Sequence, residues 1–290
     1  MLTPETLRRI QRLSFKTSKR ASEVFAGQYV SAFKGRGMEF AEVREYQVGD
    51  DIRAIDWNVT ARSGQPHVKV YHEEREMTVM LLLDLSGSLD FGTRARFKRD
   101  LLAEVAGTLA YLAIRTNDRV GAILFAGGIE RYIPPRKGPQ HVWALIREIF
   151  TYEARDKQTD IAEALDYLNR VVKRRAIVFL ISDMQAQGYE QALKITARKH
   201  DLTVIRLHDA AETELPDFGW LRLRDPESGQ FAVVSPRRLK RRWQAGRLEQ
   251  ARQVADLISR AGAERLDLAT SDDVAERLSR FFEARRRRLA

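Results

Sequence analysis

The chain has no cysteine, which excludes disulfides and thiolate metal ligands and favours a reducing compartment. No apolar run approaches the roughly 20 residues that a membrane-spanning helix needs. The first residues, MLTPETLRRIQRLSF, lack the apolar core of a signal peptide. The composition, 44% hydrophobic and 31% charged, is that of a globular protein. We therefore expect a cytoplasmic protein.

Several catalytic motifs are also absent. The sequence has no Gly-x-x-x-x-Gly-Lys-Ser/Thr phosphate loop, which argues against ATP hydrolysis, and no Gly-x-Ser-x-Gly nucleophile elbow. The five histidines show no metal-binding spacing. His67 and His72, for example, are five residues apart in a predicted strand and would face opposite sides of it. We therefore expect a protein that is not an enzyme.

Positive charge is concentrated at the C-terminal end. Of a net charge of +10, most comes from residues 236–290, which hold 15 Lys and Arg against 8 Asp and Glu. Such a region is either a solvated, Arg-rich helix face or a surface for nucleic acid, an anionic membrane or an acidic protein. The densest patches are Arg237, Arg238, Lys240, Arg241 and Arg242, and then Arg285 to Arg288.

From residue 77 onward, short apolar strands alternate with amphipathic helices. Val79 to Leu83 and Ala176 to Ile181 are unbroken apolar runs, as in strands buried on both faces of a parallel sheet. This alternation predicts an α/β fold with a doubly wound, mostly parallel sheet. The predicted units are an N-terminal helix (1–26), a β-rich module (27–76), the α/β domain (77–210), an inserted β-hairpin (211–235) and basic C-terminal helices (236–290).

Within the β-rich module, Met38 to Tyr46 and His67 to Tyr71 alternate in the manner of strands. Between them lies the charged segment Gly49–Trp57. It is either an active-site loop or a turn tied by salt bridges, with Ile55 and Trp57 anchoring it to a core. We favour the turn.

Oxygen-bearing side chains follow two of the apolar strands. Asp84 ends the first strand and precedes Ser86 and Ser88, while Asp183 follows the second. Thr159 stands before a predicted helix at the same edge of the sheet, where ligands of such folds bind. A set of oxygens without sulfur or imidazole suits a hard cation such as Mg²⁺, Mn²⁺ or Ca²⁺. Because few of the ligands are charged, the cation should also attract a carboxylate from outside the protein.

The pattern Asp84-x-Ser86-x-Ser88, a distant Thr159 and a later Asp183 resembles the metal-ion-dependent adhesion site (MIDAS) of von Willebrand factor A domains. The resemblance implies that Ser86, Ser88 and Thr159 bind the metal directly and that the two aspartates act largely through water. Many of those domains have Thr-Asp-Gly at the third motif, where this chain has Ser182-Asp183-Met184, and glycine before the threonine, where it has Gln158.

A narrower resemblance comes from the residues upstream of this motif, which are similar to the bacterial "domain of unknown function 58" family over roughly residues 25–210. It is carried by Gly49-Asp-Asp-Ile-Arg-Ala-Ile-Asp-Trp57, Ala61-Arg62 and Val68-Lys-Val-Tyr71. The resemblance implies a von Willebrand A-like domain and an association with MoxR-type AAA+ ATPases, in a chaperone-like or assembly role.

Simpler roles are open for the same residues. Thr159 could cap the helix that follows it, and Asp84, Asp183, Ser86 and Ser88 could be turn formers.

The leading hypothesis is a metal-dependent interaction protein that offers its cation to an acidic residue of a partner, a MoxR-type ATPase or that ATPase's client. One alternative is nucleic-acid or anionic-surface binding by the basic C-terminal helices. Another is a metal-dependent hydrolase using Asp84 and Asp183, although the sequence supplies no clear general base for it.

Overall fold

The structure is a computed structural model that describes residues 19–33, 38–73, 77–92, 96–213, 219–224, 227 and 229–289. Within these ranges the strands are β1 (Met38–Glu45), β2 (His67–Glu73), β3 (Thr78–Asp84), β4 (Arg119–Phe125), β5 (Ile129–Arg136), β6 (Ile177–Ser182), β7 (Asp201–His208), β8 (Leu221–Arg224), β9 (Phe231–Val234) and β10 (Glu264–Ala269).

The α-helices in the same ranges are α1 (Lys19–Phe33), α2 (Trp57–Ser63), α3 (Lys98–Thr116), α4 (Pro139–Thr151), α5 (Ile161–Val171), α6 (Glu190–Lys199), α7 (Ala210–Thr213), α8 (Pro236–Ala261) and α9 (Val274–Leu289). Two short 3₁₀ helices cover Ile52–Ala54 and Gly87–Asp90.

Six strands form the central sheet, in the order β10-β7-β6-β3-β4-β5. All neighbours are parallel except β5, which pairs antiparallel with β4 at one edge. The edge strand β5 includes Pro134 and Pro135 and continues to Arg136. An edge strand tolerates proline because one side of it needs no ladder hydrogen bonds.

Helices cover both faces of the sheet, so the prediction of a doubly wound α/β fold is confirmed. In β3, Val79, Leu81 and Leu83 belong to one buried cluster, which also includes residues of α1, α3, α4 and α9. Met80 and Leu82 belong to a second cluster, with residues of α5, α6 and α8. The uninterrupted apolar run of β3 thus follows from its burial on both faces.

The first described helix extends further than the sequence suggested. The predicted helix lay within 1–26, and β-like structure was expected from Gly27 onward, but α1 continues to Phe33. Tyr29 and Phe33 are four residues apart on this helix and both pack against the Phe282 ring of α9. Residues 1–18 lie outside the described ranges.

The two expected strands of the β-rich module are confirmed as β1 and β2, an antiparallel pair. The short helix α2 between them was not predicted. The expected hairpin is confirmed as β8 and β9, which form a separate two-stranded sheet. Among the described helices, none combines the length and apolarity needed to cross a membrane.

Candidate metal site

The predicted site begins where β3 ends. Asp84 is the last residue of this strand, and its Oδ1 accepts a hydrogen bond of 2.9 Å from the Ser86 amide. Ser86 Oγ and Ser88 Oγ lie 3.1 Å apart. Neighbouring ligands of an octahedral Mg²⁺, each at 2.0–2.1 Å from the ion, are about 3 Å apart. The spacing of the two hydroxyls therefore fits a pair of adjacent metal ligands.

The neighbouring strand β6 ends beside Asp84. Leu83 of β3 is aligned with Ile181 of β6, so the residues after them meet at the same edge of the sheet. Ser182 Oγ donates a 2.6 Å hydrogen bond to Asp84 Oδ2 and accepts one of 3.0 Å from the Met184 amide. Ser182, which was not among the predicted site residues, links the two strand ends.

Asp84 is fully buried, and its environment disfavours the charged form. Burial, and secondly the negative charge of Asp183, raise the pKa of Asp84 to about 6, although hydrogen bonds from Ser182 and Ser86 work in the opposite direction. A cation beside this carboxylate would relieve the cost of its charge. The electrostatics of Asp84 thus fit a cation site.

Asp183 has a partner that the sequence did not indicate. The buried ammonium of Lys98, the first residue of α3, donates to Asp183 Oδ2 at 2.7 Å and to Glu212 Oε1 at 2.5 Å. Burial by itself would lower the pKa of Lys98, but the two carboxylates outweigh it and the pKa is raised. The Asp183 charge is therefore already shared with Lys98, which fits a supporting role for Asp183 better than direct ligation.

Thr159 is brought to the same edge of the sheet by backbone contacts. The Gly87 amide donates to the Lys157 carbonyl at 2.9 Å, and the Asp160 amide donates to the Ala126 carbonyl at 2.7 Å. The Thr159 hydroxyl itself donates a 2.9 Å hydrogen bond to Glu227 Oε1, between β8 and β9. The capping role considered for Thr159 is wrong, because the side chain of Asp160 caps α5.

Gly127 allows the loop that carries Thr159 to approach the end of β4. A Cβ atom at Gly127 would overlap Asp156 Oδ2 and approach Gln158 Cβ to 3.3 Å. Asp156 Oδ1 accepts hydrogen bonds from the amides of Lys157 (2.6 Å) and Gln158 (3.1 Å) and so orders this loop. Any larger residue at position 127 would therefore have to displace the Asp156 carboxylate.

Met184, which stands where many A domains have glycine, has a φ angle of 60°. This left-handed conformation is uncommon for a bulky residue and costs about 1 kcal/mol or more. Strained backbone of this kind concentrates at functional sites. The chain thus places methionine in a backbone conformation that glycine would adopt without strain, at a cost in stability.

The predicted salt-bridged turn at Gly49–Trp57 is present. Arg44 holds Asp50 through two hydrogen bonds of 2.7 Å, and Asp51 pairs with Arg53. The expectation that Trp57 anchors the turn to a core is wrong, because its side chain is 68% exposed. Val48 and Ile52 are also exposed. The turn is held instead by its capping and ion-pair contacts.

The basic C-terminal patch includes a structural residue. Arg285 is buried, donates to the Ala32 carbonyl at 2.8 Å and pairs with Asp201 at 2.5 Å. Its guanidinium also lies 4.2 Å from the centre of the Phe33 ring. Arg286 to Arg288 are exposed. One member of the predicted basic surface thus belongs to the packing between α9, α1 and the sheet.

In the part of the chain that the structure describes, no group of three or more His, Cys, Asp or Glu side chains is placed to share one ion. The candidate set differs from such a cluster because three of its five members are hydroxyls. The structure joins Asp84, Ser86, Ser88 and Asp183 at adjacent strand ends, and it brings the Thr159 loop against Gly87. These residues fit a divalent cation by donor type and by the Ser86–Ser88 spacing.

Comparison with solved structures supports the fold. An aerotolerance-related membrane protein from Bacteroides fragilis has a TM-score of 0.50 at 16% identity, over 73% of this chain and 99% of that one. The conserved hypothetical protein BatB from Bacteroides thetaiotaomicron has a TM-score of 0.48 at 18% identity, over 72% of this chain and 98% of that one. The likeness at a TM-score of 0.50 agrees with the α/β fold and sheet order described above and indicates nothing further.

Sequence comparison indicates the family. The uncharacterized protein Rv1480 from Mycobacterium tuberculosis is 33% identical over 290 residues, which cover 98% of this chain and 91% of that protein. A family model described as "Protein of unknown function DUF58" matches residues 42–253, which include the Gly49–Trp57 turn, the candidate metal site and the hairpin. The chain is a member of the DUF58 family.

Proposed function

We propose that this protein is a non-enzymatic interaction protein whose candidate metal site presents a divalent cation to a carboxylate of a partner protein. The observation that carries the proposal is the 3.1 Å separation of Ser86 Oγ and Ser88 Oγ beside the buried carboxylate of Asp84. Ser86, Ser88 and Thr159 would hold the cation directly, with Asp84 and Asp183 in support. When bound, the cation supplies a positive charge with an open coordination position.

The charges around the site support an acidic partner. Asp183 and Glu212 share the Lys98 ammonium, and the contacts of Asp84 are to a hydroxyl and an amide. A divalent cation held mainly by hydroxyls and one unshared carboxylate is only partly neutralised, so it attracts another anionic oxygen. The Thr159 hydroxyl already donates to the Glu227 carboxylate, so an anionic oxygen lies beside one of the proposed ligands.

The arrangement favours binding over catalysis. Lys98 is locked between two carboxylates, and its raised pKa keeps it charged, so it is a poor base. Asp84 and Asp183 are both buried and both hydrogen-bonded, with no histidine among the contacts described for them. The chain is a member of the DUF58 family, and the sequence resemblance implies an association with MoxR-type AAA+ ATPases. We therefore propose a MoxR-type ATPase or its client as the partner.

Capture of a purified MoxR-type ATPase by the immobilised full-length chain tests this function. We expect capture in Mg²⁺, loss of capture in EDTA, and loss with Asp84→Ala even when Mg²⁺ is present. Asp256→Ala, which removes an exposed carboxylate on α8, is the matched control and should capture as wild type does. Capture that survives both chelation and Asp84→Ala would refute the role of the cation, and no capture in Mg²⁺ would refute the partner.

A further inference from the structure

The hairpin between the sheet and α8 has a mixed basic and apolar face. In the β8–β9 register, Arg222 is opposite Val233 and Arg224 is opposite Phe231. Because side chains directly opposite each other project to the same side of a sheet, these four residues share one face. Phe231 is 55% exposed and Val233 is 64% exposed, and both arginines are exposed as well. Exposed apolar groups beside charges are typical of interaction surfaces.

The two arginines are held in place by an aromatic ring. The guanidinium of Arg222 lies 4.0 Å from the centre of the Phe231 ring, and that of Arg224 lies 5.7 Å from it. These distances are within the range of cation–π contacts. A guanidinium that is already ordered loses less conformational entropy when it binds a carboxylate. The face is therefore prepared to recognise negative charge.

The sequence of the strands defines the complementary ligand. β8 reads Leu221-Arg-Leu-Arg224 and β9 reads Phe231-Ala-Val-Val234, so the strands hold two positive charges and no acidic residue. Within the described residues β8 pairs with β9 and with no other strand, so its outer edge makes no strand pairing there. A strand added at that edge would place every second side chain beside Arg222 and Arg224.

We propose that this hairpin binds an extended segment of a partner protein in which acidic and apolar side chains alternate. The acidic side chains would lie beside Arg222 and Arg224, and the segment's backbone would pair with the open edge of β8. Two-stranded hairpins are marginally stable alone, so an added strand would also stabilise this one. Binding of such a segment at the hairpin does not require the cation site.

A protein segment fits this face better than nucleic acid does. Nucleic-acid-binding strands use aromatic rings to stack bases, whereas Arg222 covers the Phe231 ring. Val233 adds apolar surface that phosphates do not use. Leucine and arginine alternate along β8, so they project to opposite faces of the strand. This matches a peptide in which apolar and acidic side chains alternate in the same way.

Binding of three fluorescent probes to the full chain tests the proposal: a short alternating Val–Glu peptide, an alternating Val–Lys peptide and oligothymidylate. We expect the Val–Glu peptide to bind, and charge reversal by Arg222→Glu with Arg224→Glu to weaken it by about tenfold or more. The reversed variant should instead bind the Val–Lys peptide, which shows that the hairpin is still folded. Arg286→Glu with Arg287→Glu is the matched control on α9 and should bind as wild type does.

The same titration in EDTA, with wild type and Asp84→Asn, separates this proposal from the cation site. Unchanged binding of the Val–Glu peptide would support peptide binding by the hairpin even if the candidate metal site holds no cation. Binding that the Arg222 and Arg224 reversals leave unaltered would overturn the proposal, and so would no binding of the Val–Glu peptide by wild type. Preferential binding of oligothymidylate through the same two arginines would assign the face to nucleic acid instead.

Discussion

The Lys98 ammonium lies buried between the carboxylates of Asp183 and Glu212. Its position at the start of α3 places a positive charge at the positive end of the helix dipole, which is unfavourable. Burial and the helix dipole both disfavour a charged lysine at this position, so we infer that Lys98 has a specific role there. Neutralising Asp183 keeps two buried aspartates, Asp84 and Asp183, from repelling each other at full strength.

Replacing Lys98 with methionine keeps the side-chain length and removes the charge. We expect Lys98→Met to lower the free energy of unfolding by about 3–5 kcal/mol, because it leaves uncompensated buried carboxylates. Urea unfolding of the metal-free protein measures this, with the exposed Lys194→Met as control. Adding Glu212→Gln should restore part of the loss. A loss below about 1 kcal/mol, the size of a surface ion pair, would contradict the expectation.

The pKa of Asp84, about 6 against an ordinary 3.8, gives a pH dependence with a definite sign. A raised pKa means that the folded protein binds the proton more tightly than the unfolded chain does. The contribution of Asp84 to stability is therefore complete below about pH 3.8 and is lost as the pH rises through about 6.

Asp84→Asn mimics the neutral carboxyl, so we expect it to stabilise the metal-free protein above pH 6 by up to about 3 kcal/mol, and to have little effect near pH 4. Unfolding in EDTA across this pH range provides the measurement, and the exposed Asp90→Asn is the control. Equal stability of wild type and Asp84→Asn at high pH would show that Asp84 carries no buried negative charge.

Among the elements, the strands of the central sheet were the most predictable. Apolar runs such as those of β3 and β6 can form only where both faces are buried, and the polar residue that ends each run marks the functional edge of the sheet. Asp84, Ser86, Ser88 and Asp183 could be proposed as a group for this reason. Lys98 and Glu212 could not be proposed from the sequence. A lysine in the first turn of a helix and a glutamate in a short helix resemble ordinary surface residues.

In the Gly49–Trp57 turn, the composition led to a wrong prediction for Trp57. A tryptophan among charged residues suggests an anchor, but α2 is held by its cap and not by burial of Trp57. Asp56 accepts hydrogen bonds from the amides of Asn58 (3.0 Å) and Val59 (3.3 Å) and lies 3.5 Å from the Lys69 ammonium.

We therefore expect Asp56→Ala to lower the free energy of unfolding by about 1 kcal/mol, the usual cost of losing an N-cap. Trp57→Ala should change it by less than about 0.5 kcal/mol, as exposed substitutions do. Chemical denaturation of both variants compares them directly. A larger loss for Trp57→Ala than for Asp56→Ala would mean that the tryptophan does anchor the turn.

The loop that carries Thr159 depends on Gly127. Gly127→Ala would push Asp156 away and break the hydrogen bonds that order the loop, so we expect a loss of about 1–3 kcal/mol. Gly128→Ala is the matched control, because its Cβ would meet Glu163 Oε2 at an ordinary 3.8 Å. Thermal unfolding distinguishes the two. Equal stability of both variants would show that the loop accommodates a Cβ atom at residue 127 without loss of stability.

At the scale of the whole molecule, the important contacts join segments that are far apart in sequence. Lys98 meets Asp183, Thr159 meets Glu227, and Arg285 meets Ala32. No local pattern encodes such pairs, because each depends on the packing of the complete fold. The sheet and the edge where the site lies are predictable from the sequence, whereas these pairs and the exposed face of the hairpin are not.

In the proposed function, Ser86 and Ser88 are adjacent ligands of one divalent cation. Titration of the full chain with Mn²⁺ near neutral pH, followed by the electron paramagnetic resonance signal of the free ion, tests it most directly. We predict one saturable site per chain, weakened about tenfold or more when Ser86→Ala and Ser88→Ala are combined, and unchanged by the exposed Ser259→Ala. Saturable binding that survives the double serine substitution, or no binding by wild type, would contradict the account.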